Sequence, residues 1–427
     1  MSKLQELINK LCPNGVEFKP LGDVFEMRNG YTPSKNNPDF WEGGTIPWFR
    51  MDDIRENGRI LSDSIQHITP SAIKGKGLFE ANSFILATTA TIGEHALIIA
   101  DSLANQQFTN LKVRKSLSNL LVTKFIYYYM FIVDDFCKRN TNVSGFASVD
   151  MDKLKKMPFP VPPIEVQEEI VRILDSFSDY AAELQAELQA RKQQYEYYRN
   201  LLLTFNPSAY GCGTDDEQKD GVTTWAGHNY KIEWKKLGEI CNRICSGGTP
   251  TTSNKSFYNG SIPWLRTQEV NWSDVYDTEI KISEEAVKKS SAKLIPSNCV
   301  IIAMYGATAA KVCINRIPLT TNQACCNLEI NPQLASYKYV YYWLCNSYEK
   351  LKSMGEGSQN NINGMKIKQY PIPIPPLELQ EKIVAILDRF ETLVNDLTNG
   401  LPAEIAAVKD QYEYYRNKLL TFKKLSA

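Results

Sequence analysis

Two stretches of the chain place apolar residues at helical spacing behind a proline-rich lead-in. In the first, Ile170, Ile173, Leu174, Phe177, Leu184 and Leu188 fall on one stripe, and no Gly or Pro interrupts residues 165 to 205. Forty residues at ~1.5 Å each predict a helix about 60 Å long. The second stretch matches it through Leu387-Asp388-Arg389-Phe390 and then meets Asn399-Gly400-Leu401-Pro402. That cluster predicts a break or kink, with the helix resuming at Ala403. The prolines of 158–163 and 371–376 cannot sit inside a helix, so they predict extended entries to both stretches. Elsewhere the pattern is mixed. Short β-rich runs (Ser83 to Thr89, Cys299 to Met304) alternate with turn clusters such as Asn29-Gly30 and Ser246-Gly247-Gly248. Tyr-rich segments near Leu120 to Lys138 and Ser336 to Ser353 predict helices that pack a core.

This layout occurs twice. Gln194-Tyr195-Glu196-Tyr197-Tyr198-Arg199-Asn200 returns as Gln411-Tyr412-Glu413-Tyr414-Tyr415-Arg416-Asn417. Gly44-Thr45-Ile46-Pro47-Trp48-Phe49-Arg50 parallels Gly260-Ser261-Ile262-Pro263-Trp264-Leu265-Arg266. Pro160-Val161-Pro162-Pro163-Ile164-Glu165-Val166-Gln167-Glu168 parallels Pro373-Ile374-Pro375-Pro376-Leu377-Glu378-Leu379-Gln380-Glu381. The copies lie about 213 to 217 residues apart and diverge between these landmarks. A shared skeleton with a divergent interior suggests one fold carrying two specificities. Each long helix alone has nowhere to bury its stripe, whereas two can bury against each other. The expectation is an α/β (α+β) chain: two similar globular domains (1–164 and 206–377) held apart by helical spacers (165–205 and 378–427). The spacers would run antiparallel as a coiled coil about a pseudo-twofold axis.

Composition bounds the function. The 427 residues are 43% hydrophobic and 22% charged, with a net charge of zero. That zero hides mildly basic globular parts and acidic helical parts, a partition compatible with two separated DNA-contacting bodies. No secretory signal or membrane span is read, since the most apolar run, Leu117 to Val133, contains Lys124 and a Tyr triplet. The expected location is cytoplasmic, without membrane association. Ten cysteines, none in a Cys-x-x-Cys pair, read as reduced and buried, and the three histidines are scattered.

No catalytic engine emerges. Lys74-Gly75-Lys76-Gly77 lacks the leading glycine and Ser/Thr of a phosphate loop, and Asn37-Pro38-Asp39-Phe40 reads as a surface turn. The chain is expected to be a non-enzyme with no cofactor of its own. What remains is loop-borne hydrogen-bonding capacity of the kind that reads bases: Arg or Lys for guanine, Asn or Gln for adenine, Ser or Thr for either. The candidates fall at matched places in both copies. Ser34, Lys35 and Asn36 face Thr251 and Lys255, and Arg50 faces Arg266. Thr89 and Thr91 with Asn105 and Gln106 face Tyr305 and Thr308 with Asn322 and Gln323. The Asn140 to Ser144 loop faces Ser358, Gln359 and Asn360.

The doubled Pro-x-Pro-Pro-[IL]-Glu-x-Gln-Glu entry and the doubled Tyr-rich heptad, with the Thr-Pro loop, the Ile-Pro-Trp landmark and the Asn-Gln region, resemble the specificity (S) subunit of type I restriction–modification systems. The resemblance covers nearly the whole chain. It implies two target recognition domains on double-stranded DNA, each reading half of a bipartite asymmetric site. It also implies helices that dock two methyltransferase (M) subunits, with two restriction (R) subunits added. S-adenosylmethionine, ATP and Mg²⁺ would serve those partners. One departure is Ser144-Gly145-Phe146-Ala147-Ser148, which lacks the Gly-Ser-Gln core at Gly357-Ser358-Gln359.

Two helical features extend this reading. Ala182-Glu183-Leu184-Gln185 is followed at once by Ala186-Glu187-Leu188-Gln189, a tandem unit that suits a length adjuster. In the heptads, Tyr195, Tyr198, Arg199, Tyr412, Tyr415 and Arg416 are candidates for partner docking, against simple packing of the helical bar. The rival classes are a stand-alone DNA-binding or regulatory protein and an architectural adaptor with protein-binding heads.

Overall fold

A computed structural model describes residues 3–142, 147–205, 221–225, 228–355, 361–396 and 398–425. By its internal contacts the chain forms two compact units, 1–184 with 405–427, and 185–404. The division cuts across the sequence repeat: each unit holds one globular head, the first part of the helix that follows it, and a heptad-bearing segment from the other repeat.

In unit 1 the strands Phe25–Asn29, Phe108–Val113, Ser83–Ala87, His95–Ile98 and Ile60–Leu61 form a five-stranded sheet in that order. Unit 2 repeats the order with Cys241–Ser246, Cys325–Ile330, Val300–Ala303, Val312–Asn315 and Asp274–Val275. The last strand of each sheet runs parallel to its neighbour and the other pairings are antiparallel. A three-stranded sheet accompanies each: His67–Ile68, Ile46–Phe49 and Leu103–Ala104, against Lys281–Ile282, Ile262–Leu265 and Thr320–Thr321.

The central strands show why these sequences become sheet. Along Ser83–Ala87, Phe84 and Leu86 enter one core while Ile85 and Ala87 enter another. Val300 and Ile302 are likewise separated from Ile301 and Ala303. With side chains alternating between faces and both faces covered, such a strand must be apolar throughout, which removes any period-two signal. The first core is completed by the aromatic helix: Phe125, Tyr128, Tyr129 and Met130 of Thr123–Arg139 in unit 1, Tyr339, Tyr341 and Tyr342 of Tyr337–Asn346 in unit 2. The predicted second aromatic helix is in fact split, with a short helix Tyr348–Ser353 following Ser347.

The long helix runs unbroken from Ile164 to Leu203. Its counterpart is two helices, Leu377–Asn395 and Leu401–Leu419. The break falls where the sequence predicts it, but the helix resumes at Leu401 rather than Ala403. Pro402 therefore lies in the first turn, where its missing N–H costs nothing. Gly400 is required there, since a Cβ would stand 2.5 Å from the Thr392 carbonyl oxygen.

The structure explains the Gln that both proline entries share. Gln167 is fully buried; its Nε2 donates to the carbonyls of Leu120 (2.8 Å) and Pro162 (2.7 Å), and its Oε1 accepts from Val122 N (2.8 Å). Gln380 repeats this with Leu334, Pro375 and Ser336. Val122 and Ser336 begin the aromatic helices, so one amide ties the start of each aromatic helix to the start of the helix below it. An Asp does the same further on. Asp175 accepts from Lys124 (2.7 Å) and the Tyr128 hydroxyl (2.5 Å), and Asp388 accepts from Lys338 and Tyr342.

Candidate nucleic-acid interface

In each head the candidate residues lie at the ends of a few strands, and the same backbone framework assembles them. The parallel pair Ile46–Phe49 and Leu103–Ala104 delivers Arg50 and Asn105 side by side, with Asn105 N donating to the Phe49 carbonyl at 3.0 Å. In unit 2 the pair Ile262–Leu265 and Thr320–Thr321 delivers Arg266 and Asn322, with Asn322 N donating to Leu265 at 2.9 Å.

An acid three residues on holds each arginine's backbone. Asp53, fully buried, accepts from Arg50 N and from Ile65 N, both at 2.6 Å. Glu269 accepts from Arg266 N (3.2 Å) and Glu279 N (3.0 Å). The side chains differ. The Arg50 guanidinium comes no nearer an acid than 3.9 Å from Asp52, and its buried Nε has no partner among the described residues. Arg266 is paired with Glu279 and lies 3.7 Å from Glu269.

The Thr-Pro loop is cinched onto the Asn-Gln turn in the same way twice. The indole N–H of Trp48 donates to the Tyr31 carbonyl and that of Trp264 to the Gly248 carbonyl, each at 3.0 Å. Tyr31 N donates to Ala104 O (2.9 Å) and Gly248 N to Thr321 O (2.8 Å). The Thr32 hydroxyl donates to Gln106 Oε1 at 2.5 Å, and the Thr249 hydroxyl to Gln323 Oε1. Gly30 and Gly247 make the approach possible, because a Cβ would meet the Ala104 and Thr321 carbonyls at 2.3 and 2.1 Å. Ser34, Lys35 and Asn36, and Thr251 and Lys255, are exposed on the loops so held.

The turns after the central strands complete each edge. Thr88 N donates to Gln107 O (2.9 Å), which brings Thr89 and Thr91 beside the Asn-Gln turn; Thr91 Oγ1 is buried without a partner among the described residues. Met304 N donates to Ala324 O (2.8 Å), which places Tyr305, 37% exposed, in the matching position. The short strand carrying Ser148 bridges to Thr89 and so joins the same edge. Ser144, Gly145 and Phe146, and Ser358, Gln359 and Asn360, lie outside the described residues.

Two candidates are engaged inwardly. Asn105 folds onto its own turn, accepting from Gln107 N at 3.0 Å and donating to Gln107 Oε1 at 3.2 Å. The Thr308 hydroxyl donates to the Thr267 carbonyl at 2.7 Å. Asn322, by contrast, has a buried Oδ1 without a partner among the described residues. The turn Asn37-Pro38-Asp39-Phe40 is a surface 3₁₀ turn capped by Asn37, as its sequence predicts.

The heptads present one face inward and another out. In unit 2 Tyr195 and Tyr198 lie against Phe390, with ring centroids 6.2 and 5.5 Å apart, and Arg199 lies over Tyr195. In unit 1 Tyr415 stacks on Phe177 (5.5 Å), Tyr412 meets Tyr128, and Arg416 sits 4.2 Å over Phe131. Burial raises the Tyr195 and Tyr412 phenols above their ordinary range. Tyr197 and Tyr414, 62% and 59% exposed, are the heptad rings turned furthest to solvent (Tyr415 keeps 39%), and sequence reasoning passed them over. Their place between inward partners at positions three apart was the available signal. The acids behind Arg50 and Arg266 were also missed, although their shared spacing of three was visible.

Among the described residues no group of His, Cys, Asp and Glu is placed to hold a metal ion, and no helix is long and apolar enough to cross a membrane. The nine described cysteines form no disulfide.

Two heads of one topology, each with a polar strand-end edge, belong to a defined class. The family model for the type I restriction modification DNA specificity domain matches residues 13–191 and again 230–407. The chain therefore belongs to the family of type I restriction–modification specificity subunits. It is 52% identical to the type I restriction enzyme EcoprrI specificity subunit of Escherichia coli, over 96% of this chain and 94% of that one. To the EcoR124I/EcoR124II specificity subunit of Escherichia coli it is 32% identical, over 99% and 98%. Among solved structures it shares its fold with a chain described for complex assembly and conformational transition of the type I R-M system (TM-score 0.63, 18% identity, 96% and 98% covered). It also shares it with the HsdS subunit of Thermoanaerobacter tengcongensis (TM-score 0.55, 16% identity, 96% and 97% covered).

Proposed function

We propose that the chain reads a bipartite, asymmetric site on double-stranded DNA, one half-site per head, and that 1–164 and 206–377 act as the recognition domains. Catalysis belongs to the partners: two methyltransferase subunits using S-adenosylmethionine and two restriction subunits using ATP and Mg²⁺, in the cytoplasm. The stretches 165–205 and 378–427 act as spacer and docking surface. The observation that carries this reading is the double one at the strand ends. Both heads hold an Arg, a Thr-Pro loop and an Asn-Gln turn in one framework, yet the turns beside them differ, Thr89-Ala90-Thr91 against Tyr305-Gly306-Ala307. Shared groups suit contacts to the DNA backbone and differing ones suit base readout.

Co-expression with the methyltransferase subunits, followed by single-molecule sequencing of methylated host DNA, tests this. The expected result is one split motif with unlike halves. An undivided motif, or none in a host that contains the assembled complex, would contradict it. The tandem Ala-Glu-Leu-Gln unit sharpens the test. Deleting one copy removes ~6 Å of helix, about 1.1 turns, and so changes the rotational phase by only about a tenth of a turn. The gap between half-sites is then expected to shorten by one or two base pairs, with both halves unchanged.

A further inference from the structure

The Thr–Gln contact recurs in both heads at the same separation, 74 residues, although the flanking loops have diverged. A contact that both heads retain cannot be what distinguishes one half-site from the other. Its chemistry says what it does instead. A Gln reading adenine uses its oxygen to accept from N6–H and its amide to donate to N7. Here the oxygen is already engaged by the Thr hydroxyl, while the amide NH₂ of exposed Gln106 and Gln323 has no partner among the described residues. Each Gln thus holds an unpartnered donor in place, with one oxygen lone pair spent on the Thr, and the acceptors present at every DNA sequence are the phosphate oxygens.

Resting on the function proposed above, we propose that Thr32–Gln106 and Thr249–Gln323 are positioning pairs. Each pins its Thr-Pro loop to the Asn-Gln turn and aims the Gln amide at the DNA backbone. Each supports affinity at its own half-site without selecting a base. Base selection then falls to the neighbouring residues that differ, Thr89 and Thr91 in one head and Tyr305 in the other.

The test uses the chain assembled with its methyltransferase subunits. Thr32→Val keeps the shape and removes the hydroxyl; Thr32→Ser keeps the hydroxyl. Thr32→Val is expected to weaken binding to the mapped site roughly 10-fold, the scale of one hydrogen bond. Base preference should stay unchanged at every position, and Thr32→Ser should restore affinity. Thr249→Val should do the same through the other half-site. Altered base preference, or Val behaving as wild type, would overturn the proposal. Amide exchange in the loop after Thr32, measured on the chain without DNA, separates the two ideas. Faster exchange in Val but not Ser is expected. Unchanged exchange refutes the latch whatever the DNA result, whereas absent sequence-specific binding by wild type refutes the functional reading.

Discussion

Head 1 and head 2 share their framework and differ in what the framework carries. Strand order, the Trp-to-carbonyl bond, the glycine at the close approach and the acid behind the arginine are the same. The arginine's surroundings are not: Arg50 comes only within 3.9 Å of Asp52, while Arg266 is paired with Glu279, although the buried Nε of each has no partner among the described residues. The helices beneath show the same division. The Gln and Asp ties are repeated, but Arg416 is covered by the Phe131 ring, whereas at the matching Cys345 a cavity of about 1130 Å³ opens beside Arg199. The two heads thus share what positions their strand ends and differ in the groups around them.

The comparison can be broken first at the shared tryptophans. Trp48 and Trp264 are 2% and 5% exposed, and each also donates a hydrogen bond. Truncation to Ala is expected to cost about 3–5 kcal/mol in either case. Two similar losses, read by urea denaturation of each variant, would support equal roles. A large loss in one head alone would mean that the frameworks are not equivalent.

The entry glutamines come next. Gln167→Leu or Gln380→Leu leaves one N–H and two carbonyls without their partner, and roughly 2–4 kcal/mol is expected from each. Hydrogen exchange should localise the effect to the start of the corresponding aromatic helix. A change spread evenly over the unit would refute that assignment.

The smallest effect is one of pH, and it separates the units. Glu169, whose side chain is 3% exposed, is hydrogen-bonded by Arg172 (2.7 Å) and Lys3 (2.7 Å), which hold its carboxyl down to about 2 from an ordinary 4.5. A lowered carboxylate stabilises the folded state above its unfolded value and loses that contribution as pH falls through its folded one. Unit 1 should therefore weaken between about pH 4.5 and 2, and Glu169→Gln should flatten this dependence. The matching position in unit 2 is Lys382, so the buried carboxylate is not repeated there; Lys382 instead pairs with exposed Glu378. An unchanged acid profile in Glu169→Gln would remove the ion pair from the account.

Much of the fold was legible, for physical reasons. The absence of Gly and Pro in 165–205 left one continuous helix as the natural outcome, and Asn399-Gly400 marked the break. What escaped depends on context. Pro402 is tolerated inside a helix only because it falls in the first turn. The split at Ser347 follows no strong breaker. In the heptads, identity between copies revealed importance but not which ring faces Phe390 or Phe177 and which faces solvent. The candidate edge was visible as matched polar sets. That Asn105 is spent on its own turn and Thr308 on the Thr267 carbonyl required the folded backbone to see.

The most direct measurement is the methylated motif of a Tyr305→Ala variant, mapped beside wild type in the assembled complex. If each head reads its own half-site, degeneracy should appear in one half only, with the other half and the gap unchanged. Degeneracy in both halves, or a new gap with both halves intact, would contradict that reading.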